Sequence, residues 1–499
     1  MRRPVLATSH GLVRGITGPE GIGVFKNIPY AAAPTGPNRF APPRPPSAWN
    51  GIRDADAYGP TAPQAPYPPP MDRLLPEALV PGDDFLNLNV WTPDPAARLP
   101  VMVWIHGGAF TNGSGALTGY DGTAFARDGV VLVTLNYRLG AEGFLHLGPG
   151  DTGRANLGLL DQIAALTWVR DNIASFGGDP DRVTVFGQSA GAMSIGALLA
   201  MPAAKGLFHR AALQSGAAHH TLSPASAARV TARLAAILGV PPTRPDFAAV
   251  PVQHLTAAQL RLRGEISARP ERALWGEAAL NLMPFEPVVD HDTLPRAPTD
   301  AIAEGVAAGV DVLVGCTGDE FRLYTVPSGL GRTVTDGLVE RTATGYGLPP
   351  GRGVAAYRAA FPAAGPGELL AQIVTDWFYR VPALRLAEAQ SRHGARAFVY
   401  EFAWSSPAFD GALGACHALD VPFVFDNLAD PAFAPLLGDT PPQVLADRMH
   451  GAWVSFATTG DPGWPAHDER HRAVRRFATA PGTVHDPRGG LRALWDDVR

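Results

Sequence analysis

The residues best suited to chemistry lie in the segment Val183–Gly191, where Ser189 stands at the centre of a Gly-x-Ser-x-Gly frame. A β-branched run (Val183 to Phe186) precedes the frame and a run of small residues (Ala190 to Met201) follows it, so the pattern predicts strand, sharp turn, helix. A serine hydroxyl is a poor nucleophile until it is exposed, placed near a base and set beside N–H groups that can hold an oxyanion. A strand-to-helix turn meets these needs, and its two glycines relieve the crowding it creates. The chemistry indicated is acyl transfer. A competing reading makes the segment a glycine-rich turn whose serine only caps the helix.

A serine nucleophile also needs a histidine base and an acid to orient it. In this type of fold the order is serine, acid, histidine. Glu320 lies just beyond a predicted strand at Val310–Val314, with Asp319 as its neighbour and rival. His417 follows a later predicted strand, Arg396–Phe402, and His450 is the alternative. An oxyanion hole needs the N–H of the residue after the nucleophile, Ala190, and donors from a glycine-rich loop after an early strand. Ile105-His-Gly-Gly-Ala-Phe110 has that position.

The elements that must hold these groups are legible as apolar runs. Phe85–Trp91, Val101–Ile105, Val130–Leu135 and Arg210–Gln214 read as strands, several of them apolar throughout, as expected of buried parallel strands. Helical patterns run over Asn156–Phe176, most of 223–280, 330–393 and Pro442–Thr459, while 60–82 is a proline-rich loop. Alternating strands and helices predict an α/β fold with a mostly parallel sheet. No repeat or clean boundary divides the chain, so residues 1–499 are read as one domain with helical insertions.

Composition narrows the function. A net charge of -5 over 499 residues, with no run of like charges, disfavours nucleic acid and anionic lipid as partners. The two lysines, Lys26 and Lys205, lie in no phosphate-binding loop motif. Two cysteines, Cys316 and Cys416, do not make a disulfide framework, and no apolar run is long enough to span a membrane, so a cytoplasmic protein is expected. No Cys-x-x-Cys or His-Glu-x-x-His pattern suggests a metal. Cys316 and Cys416 flank the acid and base candidates, as buried small hydrophobes or as a redox-sensitive pair.

Together these segments resemble the type-B carboxylesterases, and among them the bacterial p-nitrobenzyl esterases. The likeness extends through Asn27–Ala31, Arg39-Phe40, Asp84–Trp91, Val103–Phe110, Leu135–Leu139, Asn156–Gln162, Phe176–Pro180, the serine motif, Gln214–Gly216, Pro284–Asp290 and the His417 segment. It implies an α/β-hydrolase fold with helical insertions over the active site, and a triad of Ser189, Glu320 and His417. It also implies oxyanion donors at Gly108, Ala109 and Ala190, and an acyl pocket including Met283 and Phe285. The implied activity is hydrolysis of small-to-medium uncharged esters through an acyl-enzyme, with no cofactor and a small-molecule ester as partner. Carbamate, amide or lactone hydrolysis would use the same groups, and some relatives of the fold are adhesion proteins without a working triad. Departures stand out. Gln188 occupies the position before the nucleophile where the family usually has Glu, Phe321 follows the acid where Gly is frequent, and Ala109 replaces a glycine. Phe85 stands where secreted relatives have a cysteine, and no Trp lies between Trp49 and Trp91, which argues against a cholinesterase.

Overall fold

A computed structural model describes residues 3–148 and 155–498; residues 1–2, 149–154 and 499 lie outside it. Its strands are β1 (Val5–Thr8), β2 (Gly11–Arg14), β3 (Ile16–Thr17), β4 (Gly23–Pro29), β5 (Ile52–Asp54), β6 (Asn87–Thr92) and β7 (Leu99–Ile105). They continue as β8 (Val131–Leu135), β9 (Gly178–Gln188), β10 (Arg210–Gln214), β11 (Asp311–Thr317), β12 (Ala397–Phe402), β13 (Ala473–Phe477) and β14 (Gly482–His485). Strands β1, β2 and β5 form a small sheet, and the others form one large sheet in the order β14-β13-β12-β11-β10-β9-β7-β8-β6-β4-β3. From β8 across to β13 every neighbouring pair is parallel, while β14, β6, β4 and β3 pair antiparallel at the two margins.

The apolar runs become central strands because both faces of the sheet are covered. Val101, Val103 and Ile105 of β7 point into one core, and Met102 and Trp104 into the other, all fully buried. A strand with two buried faces needs apolar residues at every position rather than alternate ones. The covering helices include α1 (Leu157–Asn172), α2 (Ala190–Leu198), α3 (Pro224–Leu238), α4 (Val252–Ala268), α5 (Val381–Arg392) and α6 (Gln443–Thr459). The predicted helix from Asn156 to Phe176 ends earlier, at Asn172, and its last turn tightens to a 3-10 turn over Ile173–Phe176. The segment 330–393 is helical in pieces, with a π-helical turn at Asp376–Arg380 leading into α5. The hairpin β13–β14 was not part of the sequence reading; its short strands carry charge (Arg475, Arg476) at positions the apolar criterion passes over. Among the described residues no helix is long and apolar enough to cross a membrane.

One buried ion pair ties the sheet to the helical layer beside the glycine-rich loop after β7. The Arg138 guanidinium donates to both carboxylate oxygens of Asp161 on α1, at 2.8 and 2.7 Å, and to the Ala41 carbonyl at 2.6 Å. Its own backbone N–H donates to Asp161 as well, at 3.0 Å. Both side chains are at most 1% exposed. The pair fixes the turn after β8, so that Tyr137 stacks on His106 at 4.5 Å and its hydroxyl donates to the His106 carbonyl at 2.9 Å. Removing one member of a buried pair leaves an uncompensated charge. Asp161→Ala is therefore expected to lower stability by about 3–5 kcal/mol, measured by denaturant unfolding; a loss under about 1 kcal/mol would show that the pair does not brace this layer.

Candidate active site

The candidate groups gather at the carboxyl ends of the parallel strands, where open α/β sheets present their loops. Strand β7 runs out into His106-Gly107-Gly108, β9 into Ser189, and β11 into Glu320, and the loop after β12 carries His417.

Ser189 sits in a backbone conformation that side-chain-bearing residues avoid, with φ 56° and ψ −125°. Such a turn costs on the order of 1–3 kcal/mol and persists only when its surroundings hold it. Here the Ser189 N–H donates to the Gln214 carbonyl at 2.8 Å, and its carbonyl accepts from the Met193 N–H at 2.9 Å. The turn also presses against the end of β7. A Cβ at Gly191 would lie 1.9 Å from the Ile105 carbonyl oxygen, and one at Gly107 would lie 2.7 Å from the Gln188 carbonyl oxygen. The serine hydroxyl makes no capping bond to α2. The helix-cap reading of this segment therefore fails.

His417 and Glu320 are brought into contact. His417 Nδ1 lies 2.5 Å from Glu320 Oε2, and the pair is almost wholly buried. An ionised carboxylate can only accept, so the contact sets a proton on Nδ1 and leaves Nε2 as the acceptor of a neutral ring. The second Glu320 oxygen accepts the Thr317 N–H at 2.8 Å, and the Glu320 carbonyl accepts the His417 N–H at 3.2 Å. Asp319, the alternative acid, has another use. Its carboxylate accepts the Ala415 N–H at 3.1 Å and pairs with Arg322 at 3.2 Å, which clamps the two loops together. His450 also lies elsewhere: its Nδ1 donates to the Val424 carbonyl at 2.8 Å and its ring packs on Phe125 at 4.5 Å.

The loop after β7 is shaped for backbone donors. Gly108, Ala109 and Phe110 all have positive φ, at 116°, 53° and 59°. At Gly108 a Cβ would fall 2.0 Å from the Asn112 carbonyl oxygen, so the position accepts only glycine. Among the described residues the N–H groups of Gly108 and Ala109 donate to no backbone or side-chain acceptor. Ala190 opens α2, where N–H groups have no partner within the helix and carry the positive end of its dipole. His106 stays neutral, because burial pulls it down to about 4, and its Nδ1–H donates to the Gly107 carbonyl at 2.8 Å.

A cavity of about 390 Å³ opens over these groups, a size suited to a small organic ligand. Ser189, His417, Gly108 and Ala109 line its floor, and Tyr324, Phe378, Leu117 and Leu436 are among the largely apolar walls. Met283 is among the lining residues. Phe285 is not: it is fully buried in the core. Residues i and i+2 share a face only in a regular strand, and the chain bends at Pro284-Phe285 instead of continuing as one, so Phe285 does not follow Met283 into the cavity. The proline-rich loop contributes Tyr67, Pro68, Met71 and Leu75. No sequence signal marked them, because a cavity wall made of loop residues has no periodicity. Phe321 lines the cavity too and packs on Tyr324 at 5.2 Å, a role that glycine at this position could not play.

Gln188 reaches further than its sequence position suggested. Its side-chain Nε2 lies 3.1 Å from His417 Nε2. With the proton of a neutral ring on Nδ1, the amide donates to Nε2. Cys316 and Cys416 are both free and buried, and burial raises both thiols. Thiolate chemistry is thereby disfavoured, in keeping with buried small hydrophobes.

A nucleophile elbow, a buried histidine–carboxylate pair and free backbone donors over an apolar cavity define a serine hydrolase of the α/β-hydrolase fold. Residues 2–337 and 365–483 match the Carboxylesterase family. The chain is 42% identical over 515 residues to the para-nitrobenzyl esterase of Bacillus subtilis (strain 168), covering 99% of this chain and 98% of that protein. It is 39% identical to the phenmedipham hydrolase of Pseudarthrobacter oxydans, over 94% and 92% of the two chains. A crystal structure of a Geobacillus stearothermophilus carboxylesterase superposes with a TM-score of 0.86 at 40% identity, covering 99% of this chain and all of that one. The chain belongs to the carboxylesterase family.

A second buried acid stands behind the pair. Asp420 accepts from Gln214 Nε2 at 3.0 Å and from the Tyr400 hydroxyl at 2.9 Å, while its other oxygen has no partner. Burial first, and Glu320 second, raise it to about 6. An acid raised above its unfolded value of 3.8 stabilises the fold at low pH, and that contribution is lost as pH rises through about 4 to 6. Asp420→Asn keeps an acceptor without the charge. Its melting temperature relative to wild type is expected to rise between pH 4 and 6 and then level off, a relative gain on the order of 2–3 kcal/mol. A pH-independent difference would show that Asp420 does not titrate in this range.

Proposed function

We propose that Ser189, His417 and Glu320 are the catalytic triad of this carboxylic ester hydrolase, and that the N–H groups of Gly108, Ala109 and Ala190 form its oxyanion hole. The observation that carries this is the 2.5 Å His417–Glu320 contact in the same cavity floor as the strained Ser189 turn. His417 Nε2 takes the proton of Ser189 Oγ as that oxygen bonds to the ester carbonyl carbon. The negative charge that develops on the carbonyl oxygen is held by the backbone donors. Collapse of the tetrahedral intermediate expels the alcohol, which receives the proton from His417. Water then repeats the cycle on the acyl-enzyme, giving the free acid and restoring Ser189.

The apolar walls favour small-to-medium uncharged esters, with Met283 on one side. Residues 1–499 act as one catalytic domain, because the groups above are supplied by neighbouring strands of a single sheet. The free cysteines support a cytoplasmic protein.

Ser189→Ala should lower kcat/KM on p-nitrophenyl acetate, butyrate and octanoate by about 10³-fold or more; a loss under about tenfold would remove Ser189 as nucleophile. For the reaction to begin, the Gln188 amide must give up His417 Nε2 to the serine hydroxyl. Gln188→Glu would set a carboxylate there instead, which favours the imidazolium and so raises the pKa of the base. Because the base must be neutral, the acidic limb of the kcat/KM profile is expected to move up by about one pH unit. An unmoved profile would show that residue 188 has no electrostatic hold on His417.

A further inference from the structure

The cavity has a cation whose charge the structure does not answer. Helix α4 turns a polar row inward: Thr256, Gln259, Arg263 and Ser267, at helical spacing, line the main cavity or the small pocket beside it. Gln259 has a structural task, accepting the Ala141 N–H at 2.8 Å. Arg263 has no equivalent. Its one hydrogen bond among the described residues runs from Nη1 to Thr111 Oγ1, at 3.1 Å. Among the described residues it pairs with no carboxylate, although its helix neighbour Arg261 pairs with Glu265. Burial pulls the guanidinium down from its ordinary value, with only Tyr67 and Tyr324 opposing. An arginine stays protonated regardless, so the desolvation is uncompensated until an anion arrives.

The rest of the lining sharpens the point. It contains no Asp or Glu among the described residues, and the position beside the nucleophile is the neutral Gln188. The lining thus bears one fixed positive charge and no fixed negative one, and the Glu320 carboxylate behind it is engaged by His417 Nδ1 and the Thr317 N–H, so the surroundings of Arg263 favour an anion over a cation. The location suits a substrate group rather than the reacting carbonyl. Thr111, the anchor of the guanidinium, is two residues beyond Ala109, which limits their Cα separation to about 7 Å. A carboxylate a few carbons from the scissile ester spans that distance.

We propose that Arg263 is a carboxylate-recognition site of this cavity, so that the enzyme takes esters carrying a free carboxylate, half-esters of dicarboxylic acids in particular, as well as neutral ones. The inference rests on the esterase reading of Ser189. The remaining guanidinium N–H groups match a carboxylate in a forked geometry that lysine would not reproduce.

The test compares kcat/KM for p-nitrophenyl hydrogen adipate and its neutral methyl ester, and for 4-carboxybenzyl acetate and its methyl ester. The two pairs place the charge on the acyl or the alcohol side. The charged-to-neutral ratio cancels effects common to both substrates. In Arg263→Gln it is expected to fall by about tenfold in one pair, with Arg263→Lys recovering only part. A ratio unchanged within twofold in both pairs would overturn the proposal. Should Arg263→Gln not fold, inhibition of the wild type decides: adipate should compete better than adipamide, and lose that advantage at high salt, whereas equal inhibition refutes the site. Failure of the underlying esterase reading is separately visible, as hydrolysis of the neutral esters that survives Ser189→Ala.

Discussion

The site depends on a steric constraint: the end of β7 and the turn at Ser189 occupy almost the same space. The Ile105 carbonyl oxygen lies where a side chain at Gly191 would be, and the Ser189 carbonyl oxygen lies 2.6 Å from where one at Gly216 would begin. Close approach holds the serine in its unfavourable φ and ψ, and the same approach brings the loop after β7 alongside. The strain of the turn and the placement of the free N–H groups of Gly108 and Ala109 are thus two results of one packing contact. It explains why three separate glycine-bearing segments, at 107–108, 187–191 and 216, converge here.

His417 is ordered by carboxylates with different tasks. Glu320 touches the imidazole and fixes which nitrogen holds the proton. Asp319, its neighbour, fastens the loop that carries the imidazole by binding the Ala415 N–H. Asp420 lies under Gln214 and Tyr400, close enough to Glu320 for that carboxylate to oppose the ionisation of Asp420. Two adjacent acids that composition treats alike are separated by geometry: one faces the ring and the other faces the backbone. Tyr379 and Tyr324 close over the imidazole at 4.9 and 5.9 Å and keep its surroundings apolar.

Specificity is assigned to segments that do not belong to the sheet. The proline-rich loop, the inward row of α4 and the residues around Met283 supply the walls, while the strands supply only the floor. Gln188 and Arg263 then set the electrical character of the cavity, one by lacking a charge and the other by bearing one. Neither alters the order of the catalytic groups.

The serine turn, the glycine-rich loop and the apolar strands were legible in the sequence because each is a local demand. A sharp turn needs glycine at fixed offsets, and a strand buried on both faces needs an unbroken apolar run. Glu320 and His417 could be placed only to within a choice of two, and the strained loop at Ala109 and Phe110 not at all, since positive φ at such residues has no local signature. The tertiary structure set Glu320 rather than Asp319 against His417, turned His450 to the Val424 carbonyl, left Phe285 out of the cavity lining, and brought Gln188 to His417 and Arg263 to Thr111. These are contacts between residues far apart in the chain, or choices of direction between neighbours, and spacing along a sequence carries neither. What the sequence by itself determined was the chemistry of acyl transfer and the sheet that bears it. Which side chains face the reacting atoms was decided by packing, because only the folded chain fixes where each side chain points.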